Sequence, residues 1–364
     1  MGFSDFHGNS ETVERLRALL ARDRFPHAVL LAGPPGSGKY TLAQMVAKAM
    51  NCLAPPAEKL PDFCGRCSNC RRIGQADDLA ARFHEAVEAR ESLRETDRKE
   101  TRILVQTHPD VLLIPPDPPQ MMIKVDQVRH VIATIYFRPG EGRRKVYIFT
   151  QAAFIKEAAN ALLKVLEEPP DFATLFLLAE NPGQFLPTIR SRCVTLTLAP
   201  LAAEELERDL ARVHPDWKPA QRALVARLAE GAVGQARSFD LAAYVAARRD
   251  ALALLNTAVH PVDHTALFRA TEGYRAGAEG KDKTEQLLSA LYSLLEDLMF
   301  LHSGAAELVR NRDIATELKR LAADVDFDWI ALAAQRMGEV ESGMRRNLLR
   351  SLSLDAMVAA LERG

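Results

Sequence analysis

A glycine-rich segment that ends in a lysine occupies residues 33–39. Its spacing matches G-x-x-x-x-G-K, a loop in which backbone N–H groups close around phosphates. The apolar residues 27–32 before it predict a buried strand, and residues 40–50 after it have the apolar spacing of a helix. This order favours phosphate binding over a chance turn, because a helix amino terminus attracts anions and the lysine reaches terminal phosphates. The candidate nucleotide-binding residues are Gly33, Gly36, Gly38 and Lys39.

The residue after this lysine departs from the phosphate-loop pattern. The motif needs a serine or threonine there, whose hydroxyl holds Mg²⁺, but the chain has Tyr40. A phenol is too long and bulky for that role, and Thr41 is turned about 100° away around the helix. Nucleotide binding therefore stays open, whereas metal-assisted hydrolysis is disfavoured.

The strand expected to carry catalytic acids also lacks them. In phosphate-loop ATPases, acidic residues orient Mg²⁺ and the attacking water. Residues 145–150 form the candidate strand, and Thr150 and Gln151 stand where aspartate and glutamate are needed. The alternative is that residues 174–179, which are followed by Glu180, are that strand. With the first choice, two independent losses predict that this chain does not hydrolyse ATP.

Four of the five cysteines cluster in one irregular segment. Cys52, Cys64, Cys67 and Cys70 have the spacing C-x11-C-x2-C-x2-C, and four thiolates suit tetrahedral Zn²⁺. Because the protein fills all four positions, the metal is expected to be structural rather than catalytic. Free thiols or a redox pair are the alternatives. Cys193 is remote and is interpreted as an ordinary buried thiol.

Two arginines, Arg190 and Arg192, lie just before the strand predicted at residues 194–198. Such arginines in isolation are typical of a solvated turn. The functional alternative is an arginine finger that reaches a nucleotide on a neighbouring subunit, where such a group contributes about 10³–10⁵ in rate. Arg192 is the candidate catalytic residue in trans, with Ser191 and Cys193 as its motif neighbours.

The overall composition narrows the class of protein. Of 364 residues, 48% are hydrophobic and 26% are charged, as in globular chains of two or three domains. The formal net charge is −1, so contact with nucleic acid needs a local patch or a partner. No apolar run approaches the roughly 20 residues of a membrane span, and residues 1–10 do not resemble a secretory signal. The protein is expected to be cytoplasmic, with reduced thiols and without membrane contact.

Six motifs in a fixed order carry a resemblance to a known family. They are His27-Ala28, the phosphate loop, the four cysteines, His108-Pro109-Asp110, residues 159–170 and Ser191-Arg192-Cys193. Over about residues 6–200, the chain resembles bacterial DNA polymerase III clamp-loader subunits. The resemblance implies an α/β AAA+ parallel-sheet domain with a zinc module, followed by all-α lid and all-α collar domains. The corresponding ranges are 1–200 with the zinc module at 51–74, then 201–240 and 241–364.

Within this family, the tau/gamma type keeps intact phosphate-loop and acidic motifs and hydrolyses ATP. The delta-prime type typically has degenerate versions and retains Ser-Arg-Cys, and Tyr40, Thr150 and Arg192 of this chain resemble that type. The resemblance implies a component of the DNA polymerase III holoenzyme with no ATPase activity of its own. Its Arg192 completes the ATP site of an adjacent tau/gamma subunit. Zn²⁺ is the expected structural cofactor, and ATP or ADP at the degenerate loop stays open.

The implied partners are the tau/gamma and delta subunits, which form a five-subunit ring with this chain. That ring opens the beta sliding clamp and places it on primed DNA. Arg237 lies in a region that resembles the second sensor of the family, where it contacts a phosphate; an arginine on the lid surface is the alternative. Residues 76–106 are an exposed helical insertion to which no function is assigned.

Two other functions compete with this interpretation. The first is an ATP-hydrolysing motor subunit of the tau/gamma type, which Tyr40 and the empty acidic positions disfavour. The second is a free-standing, zinc-containing nucleotide kinase. A kinase is disfavoured because it needs Mg²⁺ ligands and substrate-binding arginines near the phosphate loop, and has no role for a long helical collar.

Overall fold

The computed structural model describes residues 2–22, 25–57, 59–260, 271, 273–274, 277–345 and 349–362. The chain divides into two compact units. The first contains Met1–Leu201 and Gly231–Gln235, and the second contains Ala202–Glu230 and Ala236–Gly364. The predicted collar includes residues 261–270 and 346–348, which lie outside the described part of the chain. The division into a lid and a collar stays a prediction.

The first unit is built on a six-stranded sheet. Its strands are β1 (Ala28–Ala32), β2 (Val105–His108), β3 (Val111–Ile114), β4 (Lys145–Phe149), β5 (Ala173–Ala179) and β6 (Val194–Thr197). They lie in the order β2-β3-β4-β5-β1-β6, and every pairing except β2 with β3 is parallel. The α/β parallel-sheet architecture predicted from the sequence is confirmed.

The interior strand β1 contacts apolar cores on both faces of the sheet. Val29 and Leu31 belong to one core, and Ala28 and Leu30 belong to the other. A parallel strand that is covered on both faces has a continuous apolar sequence rather than an alternating one. This double burial explains why the strand is visible in the sequence, and it holds the loop that follows β1 on a rigid support.

Sequence reasoning missed the edge strand β2. It runs antiparallel to β3, with His108 opposite Val111 and a tight turn at Pro109 and Asp110. Only Val105 and His108 of this strand are buried, so its apolar pattern is weak. The Pro-Asp pair between two short extended segments was the available signal, because proline and aspartate favour turns.

Helices of the first unit cover both faces of the sheet. They are α1 (Ser10–Ala21), α2 (Lys39–Asn51), α3 (Ser68–Gly74), α4 (Leu79–Glu91), α5 (Glu95–Glu100), α6 (Val125–Ile135), α7 (Lys156–Glu167) and α8 (Pro187–Arg190). The end of α7 follows from the sequence, since Pro169 and Pro170 cannot continue a helix.

The insertion at residues 76–106 contains α4, α5 and the first two residues of β2. The Asp78 side chain caps the start of α4, and the Ser92 Oγ donates to a carbonyl of its last turn. Arg90, whose side chain is only 10% exposed, pairs at 2.9 Å with the buried Asp117. The insertion is therefore anchored to the rest of the first unit through Asp117, a partner that the sequence of the insertion does not predict.

After residue 201 the described chain contains helices and no strand, as predicted. They are α9 (Ala203–Val213), α10 (Pro219–Leu228), α11 (Val233–Arg237), α12 (Leu241–Val259), α13 (Gly277–His302), α14 (Ala315–Asp324), α15 (Phe327–Arg345) and α16 (Arg350–Leu361). A buried polar cluster joins α12, α13 and the segment before α14: Arg248 donates to Asn311 at 2.9 Å, and Asn311 donates to Asp297 at 2.8 Å. None of the described helices has the length and apolar character needed to cross a bilayer.

Candidate functional site

The phosphate loop connects β1 to α2 and depends on its glycines. Gly36 and Gly38 have φ angles of 72° and 86°, a left-handed conformation that a Cβ disfavours. A Cβ on Gly33 would lie 2.5 Å from the carbonyl oxygen of Leu198. The three glycines predicted from the motif are therefore required by the shape of the loop.

Lys39 begins α2, and its ammonium group bonds to the loop itself. Its Nζ donates to the carbonyl oxygens of Gly33 at 2.6 Å and Pro34 at 2.7 Å. Burial lowers the pKa of Lys39, and the charge of Glu180 opposes that shift. Among the described residues, the buried Ser37 Oγ has no hydrogen-bond partner. A phosphate offers acceptors to both side chains, so the loop fits a nucleotide phosphate if the lysine leaves its carbonyls.

Residues 231–235 cover one side of this loop. The Gly234 N–H donates to the carbonyl oxygen of Gly36 at 3.1 Å. A Cβ on Gly36 would lie 2.9 Å from the side chains of both Ala232 and Gln235. The close approach of the two segments adds a second reason for glycine at position 36.

Tyr40, at the position of the missing metal ligand, has a structural role. Its hydroxyl donates to the carbonyl oxygen of Ala76, just beyond α3, and accepts from the Gln44 Nε2 at 2.7 Å. Burial raises the pKa of Tyr40 far above its usual value. The phenol is thus neutral and already has both a donor and an acceptor partner, so it offers no metal ligand.

The carboxyl end of β4 lines a cavity of about 500 Å³ beside Lys39. Thr150 and Gln151, which directly follow β4, line it, and so does Glu180, which directly follows β5. Glu180 is the one carboxylate among the described lining residues. Neither the Thr150 nor the Gln151 side chain can supply an anionic metal ligand or a strong base.

The four clustered cysteines converge on one point in the first unit. Their Sγ atoms all lie within 4.8 Å of one another, and tetrahedral Zn²⁺ with bonds of about 2.3 Å places its sulfurs about 3.8 Å apart. Backbone N–H groups of Cys64 and Cys67 donate at 3.3 Å to the sulfurs of Cys52 and Cys64. Burial opposes ionisation of Cys64, but hydrogen bonds lower its pKa to about 6, whereas burial raises the pKa of Cys52 and Cys70. The sulfurs fit a four-thiolate zinc site.

The Ser191-Arg192-Cys193 element follows the short helix α8 and precedes β6. The Arg192 Nη1 donates to the Thr188 carbonyl at 2.9 Å, and its Nη2 pairs with the Glu167 Oε1 at 2.9 Å. Its side chain is 35% exposed. Burial raises the pKa of Cys193 to about 12, which agrees with an inert packed thiol. Sequence reasoning missed Glu167 because its partner lies 25 residues further along the chain.

Arg237, the predicted second sensor, forms an ion pair within the second unit. Its Nε and Nη2 donate to the two carboxylate oxygens of Asp209 at 2.7 and 2.8 Å. Asp209 is only 3% exposed and lies on α9. This bidentate pair gives Arg237 a structural role, and contact with a phosphate stays a prediction.

The His108-Pro109-Asp110 motif holds a turn rather than a ligand. Asp110 accepts backbone N–H bonds from Gly140 at 2.8 Å, Glu141 at 2.9 Å and Gly142 at 2.6 Å. Burial opposes ionisation of Asp110, but these bonds lower its pKa below the usual value. The motif therefore fixes the segment that leads into β4.

Taken together, the sheet, the phosphate loop after β1 and the helices described after residue 201 define a protein of the AAA+ class. A family model described as "DNA polymerase III, delta subunit" matches residues 8–202. The delta-prime subunit of DNA polymerase III from Escherichia coli strain K12 is 30% identical over 85% of this chain and 80% of its own length. The chain therefore belongs to the DNA polymerase III clamp-loader family, to its delta-prime type.

Two further relatives are also subunits of DNA polymerase III, one of the delta-prime type and one of the tau type. The delta-prime subunit from Pseudomonas aeruginosa is 35% identical over 55% of this chain and 51% of its own length. The tau subunit from Escherichia coli is 27% identical over 92% of this chain. This chain spans 42% of the length of that tau subunit.

Proposed function

We propose that this chain acts in DNA replication as the delta-prime subunit of the DNA polymerase III clamp loader. It donates Arg192 to the ATP site of a neighbouring tau/gamma subunit and does not hydrolyse ATP itself. Its direct partners are tau/gamma and delta, joined through the helices after residue 241. Through the complex it acts on the beta sliding clamp and primed DNA. The position of Arg192 relative to the chain's own phosphate loop carries the proposal.

Arg192 and the phosphate loop lie at opposite ends of the parallel strands. β1 and β6 are parallel neighbours, with Val29 opposite Val194. The loop follows β1, whereas Arg192 precedes β6. Since a strand rises about 3.3 Å per residue, the five residues of β1 separate these two ends by roughly 15 Å. This separation supports action in trans, because an arginine at one end of the strands does not reach a phosphate at the other end.

The residues around Lys39 support the proposal that this chain does not hydrolyse ATP. The Tyr40 hydroxyl is already bonded to two protein groups, and the segment after β4 contributes Thr150 and Gln151 to the cavity beside Lys39. Hydrolysis needs a coordinated Mg²⁺ and an oriented water. Bound ADP or ATP is still compatible with the glycines, Ser37 and Lys39 of the loop.

Zn²⁺ is the proposed structural cofactor of Cys52, Cys64, Cys67 and Cys70. The geometry of the four sulfurs supports it, and four protein thiolates around a tetrahedral metal leave no position open for a catalytic water. When bound, the metal holds the segment between α2 and α3 in one conformation.

The decisive experiment measures ATP hydrolysis by the purified chain, alone and then with tau/gamma, delta, beta clamp and primed DNA. We expect no turnover by the chain alone. In the mixture, Arg192→Ala should lower turnover at the neighbouring site by about 10³-fold. Gel filtration should show that the complex still assembles. Arg190→Ala is the matched control, because Arg190 is an exposed arginine of the same element.

Two results would count against this proposal. An assembled complex with unchanged turnover after Arg192→Ala would remove the arginine-finger role. Turnover by the isolated chain that Lys39→Ala abolishes would instead favour the alternative function, an ATP-hydrolysing subunit of the tau/gamma type.

A further inference from the structure

The ion pair between Arg192 and Glu167 is not explained by stability. The two side chains are 35% and 50% exposed, and their charged atoms lie 2.9 Å apart. Exposed ion pairs stabilise a fold little, because water screens the charges and two flexible side chains must be ordered. A precise contact with little value for folding suggests that the conformation of the arginine itself matters.

Glu167 also lies at an unfavourable end of its helix. It is the last residue of α7, and Glu168 caps that helix. The carboxyl terminus of a helix carries partial negative charge, which disfavours acidic side chains there. A residue that opposes a local rule without an evident gain in stability is a candidate for a functional role.

The contacts of Arg192 leave part of its guanidinium group free for a ligand. Nη1 donates to the Thr188 carbonyl and Nη2 donates to Glu167, each at 2.9 Å. A guanidinium group has five N–H donors, so donors remain for a phosphate. Two anchors fix the plane of the group, and groups fixed before the reaction stabilise a transition state without the cost of reorganisation.

We propose that Glu167 is a positioning residue for Arg192. Glu167 holds the guanidinium group at the edge of the first unit, in the orientation that meets the phosphates of a nucleotide on the neighbouring subunit. This inference rests on the proposed function of Arg192 in trans. Glu167 itself does not touch the nucleotide; it acts through the conformation of the arginine.

The test is steady-state ATP hydrolysis by the assembled complex that contains the full chain, tau/gamma, delta, beta clamp and primed DNA. Glu167→Ala should lower kcat about tenfold with the KM for ATP unchanged, because the arginine loses its fixed orientation but nucleotide binding to the neighbour does not involve it. Glu167→Gln keeps a carbonyl acceptor at the same reach and should restore most of kcat.

Further variants separate positioning from a general defect. Glu168→Ala is the matched control, since Glu168 is an exposed glutamate at the same helix end, and it should behave as the wild type. In an Arg192→Ala background, Glu167→Ala should cause no further loss. Glu167→Asp keeps the charge but shortens the side chain, and it should also lower kcat. This variant replaces Glu167→Ala in the test if thermal unfolding shows that the alanine variant folds poorly.

The outcomes distinguish this inference from the function on which it rests. If Arg192→Ala lowers kcat but Glu167→Ala behaves like Glu168→Ala, the positioning role is wrong and the arginine-finger role stands. If Glu167→Ala and Glu167→Gln both raise kcat, Glu167 competes with phosphate for the arginine, which also overturns positioning. If Arg192→Ala has no effect, both proposals fail.

Discussion

At the scale of single residues, Tyr40 shows how one substitution changes the use of a motif. The position that holds a metal ligand in the motif carries a phenol whose hydroxyl joins two protein groups. Ala76 and Gln44, the partners of that hydroxyl, are 2% and 1% exposed. Because the two partners are buried, each of these hydrogen bonds is costly to lose.

Tyr40→Phe is expected to lower the free energy of unfolding by about 1–3 kcal/mol, because buried partners of the hydroxyl are left unpaired. Urea unfolding followed by circular dichroism measures this loss. Tyr136→Phe is the control, since the Tyr136 side chain is exposed and its hydroxyl makes only a 3.4 Å contact. Equal stability of the two variants would contradict the structural role of Tyr40.

Arg237 allows a second test at this scale. Arg237→Ala should destabilise the second unit by about 1–3 kcal/mol, because the buried Asp209 carboxylate loses both hydrogen bonds from the Arg237 guanidinium group. Arg212→Ala is the control: Arg212 is 68% exposed and lies 3.6 Å from Asp209. If Arg237→Ala instead lowers ATP hydrolysis of the assembled complex while stability is unchanged, the sensor role is favoured over the structural one.

At the scale of elements, α3 links the cysteine cluster to the helix of the phosphate loop. Cys67 caps its start, where the Cys67 Sγ accepts from the Cys70 N–H at 3.4 Å. Just beyond its end, Ala76 accepts from Tyr40 on α2, and Asp77 pairs with Lys48 on α2 at 2.6 Å. The conformation of α3 thus bears directly on how α2 is held.

We expect removal of the metal to loosen both helices. Cys67→Ser should abolish binding of one zinc equivalent, lower Tm and speed hydrogen exchange in α3 and in the part of α2 that contacts it, because α3 loses its anchored start. Metal analysis and hydrogen-exchange mass spectrometry measure these effects. Cys193→Ser, outside the cluster, should leave the zinc content unchanged. A wild-type protein without zinc would show the metal assignment to be wrong.

At the scale of the whole molecule, the sheet of the first unit separates two chemical roles. The phosphate loop lies at the carboxyl ends of its strands, and Arg192 lies at their amino ends. A subunit that offers an arginine at one end and a phosphate loop at the other is suited to head-to-tail contacts, the kind of interface that builds rings. In this chain we propose that the arginine has kept its function and that the phosphate loop does not support hydrolysis.

Lys39→Ala in the assembled complex is therefore expected to leave ATP turnover unchanged. The Lys39 Nζ donates to carbonyl oxygens of its own loop, and Thr150 and Gln151 offer the cavity beside it no anionic metal ligand. The matched control replaces the phosphate-loop lysine of the tau/gamma partner, which should abolish turnover. A comparable loss from both substitutions would mean that this chain is itself a motor subunit.

Much of the fold is visible in the sequence because its signals are local. The continuous apolar run of β1, the glycines at Gly36 and Gly38 and the proline stop after α7 each depend on residues close together in the chain. The cysteine spacing likewise predicted a cluster that the structure brings together. The weak strand β2 was missed, because two buried residues at a sheet edge leave little periodic signal.

Local signals in the sequence were therefore enough to predict the parallel sheet, the phosphate loop, the absence of its metal ligand and the family of the chain. Which charged and polar groups meet became clear only from the folded structure. Arg192 with Glu167, Arg237 with Asp209 and Tyr40 with Ala76 are paired across 25, 28 and 36 residues. Local periodicity carries no information about such pairs, because they depend on where the ends of separate helices and strands come together in space.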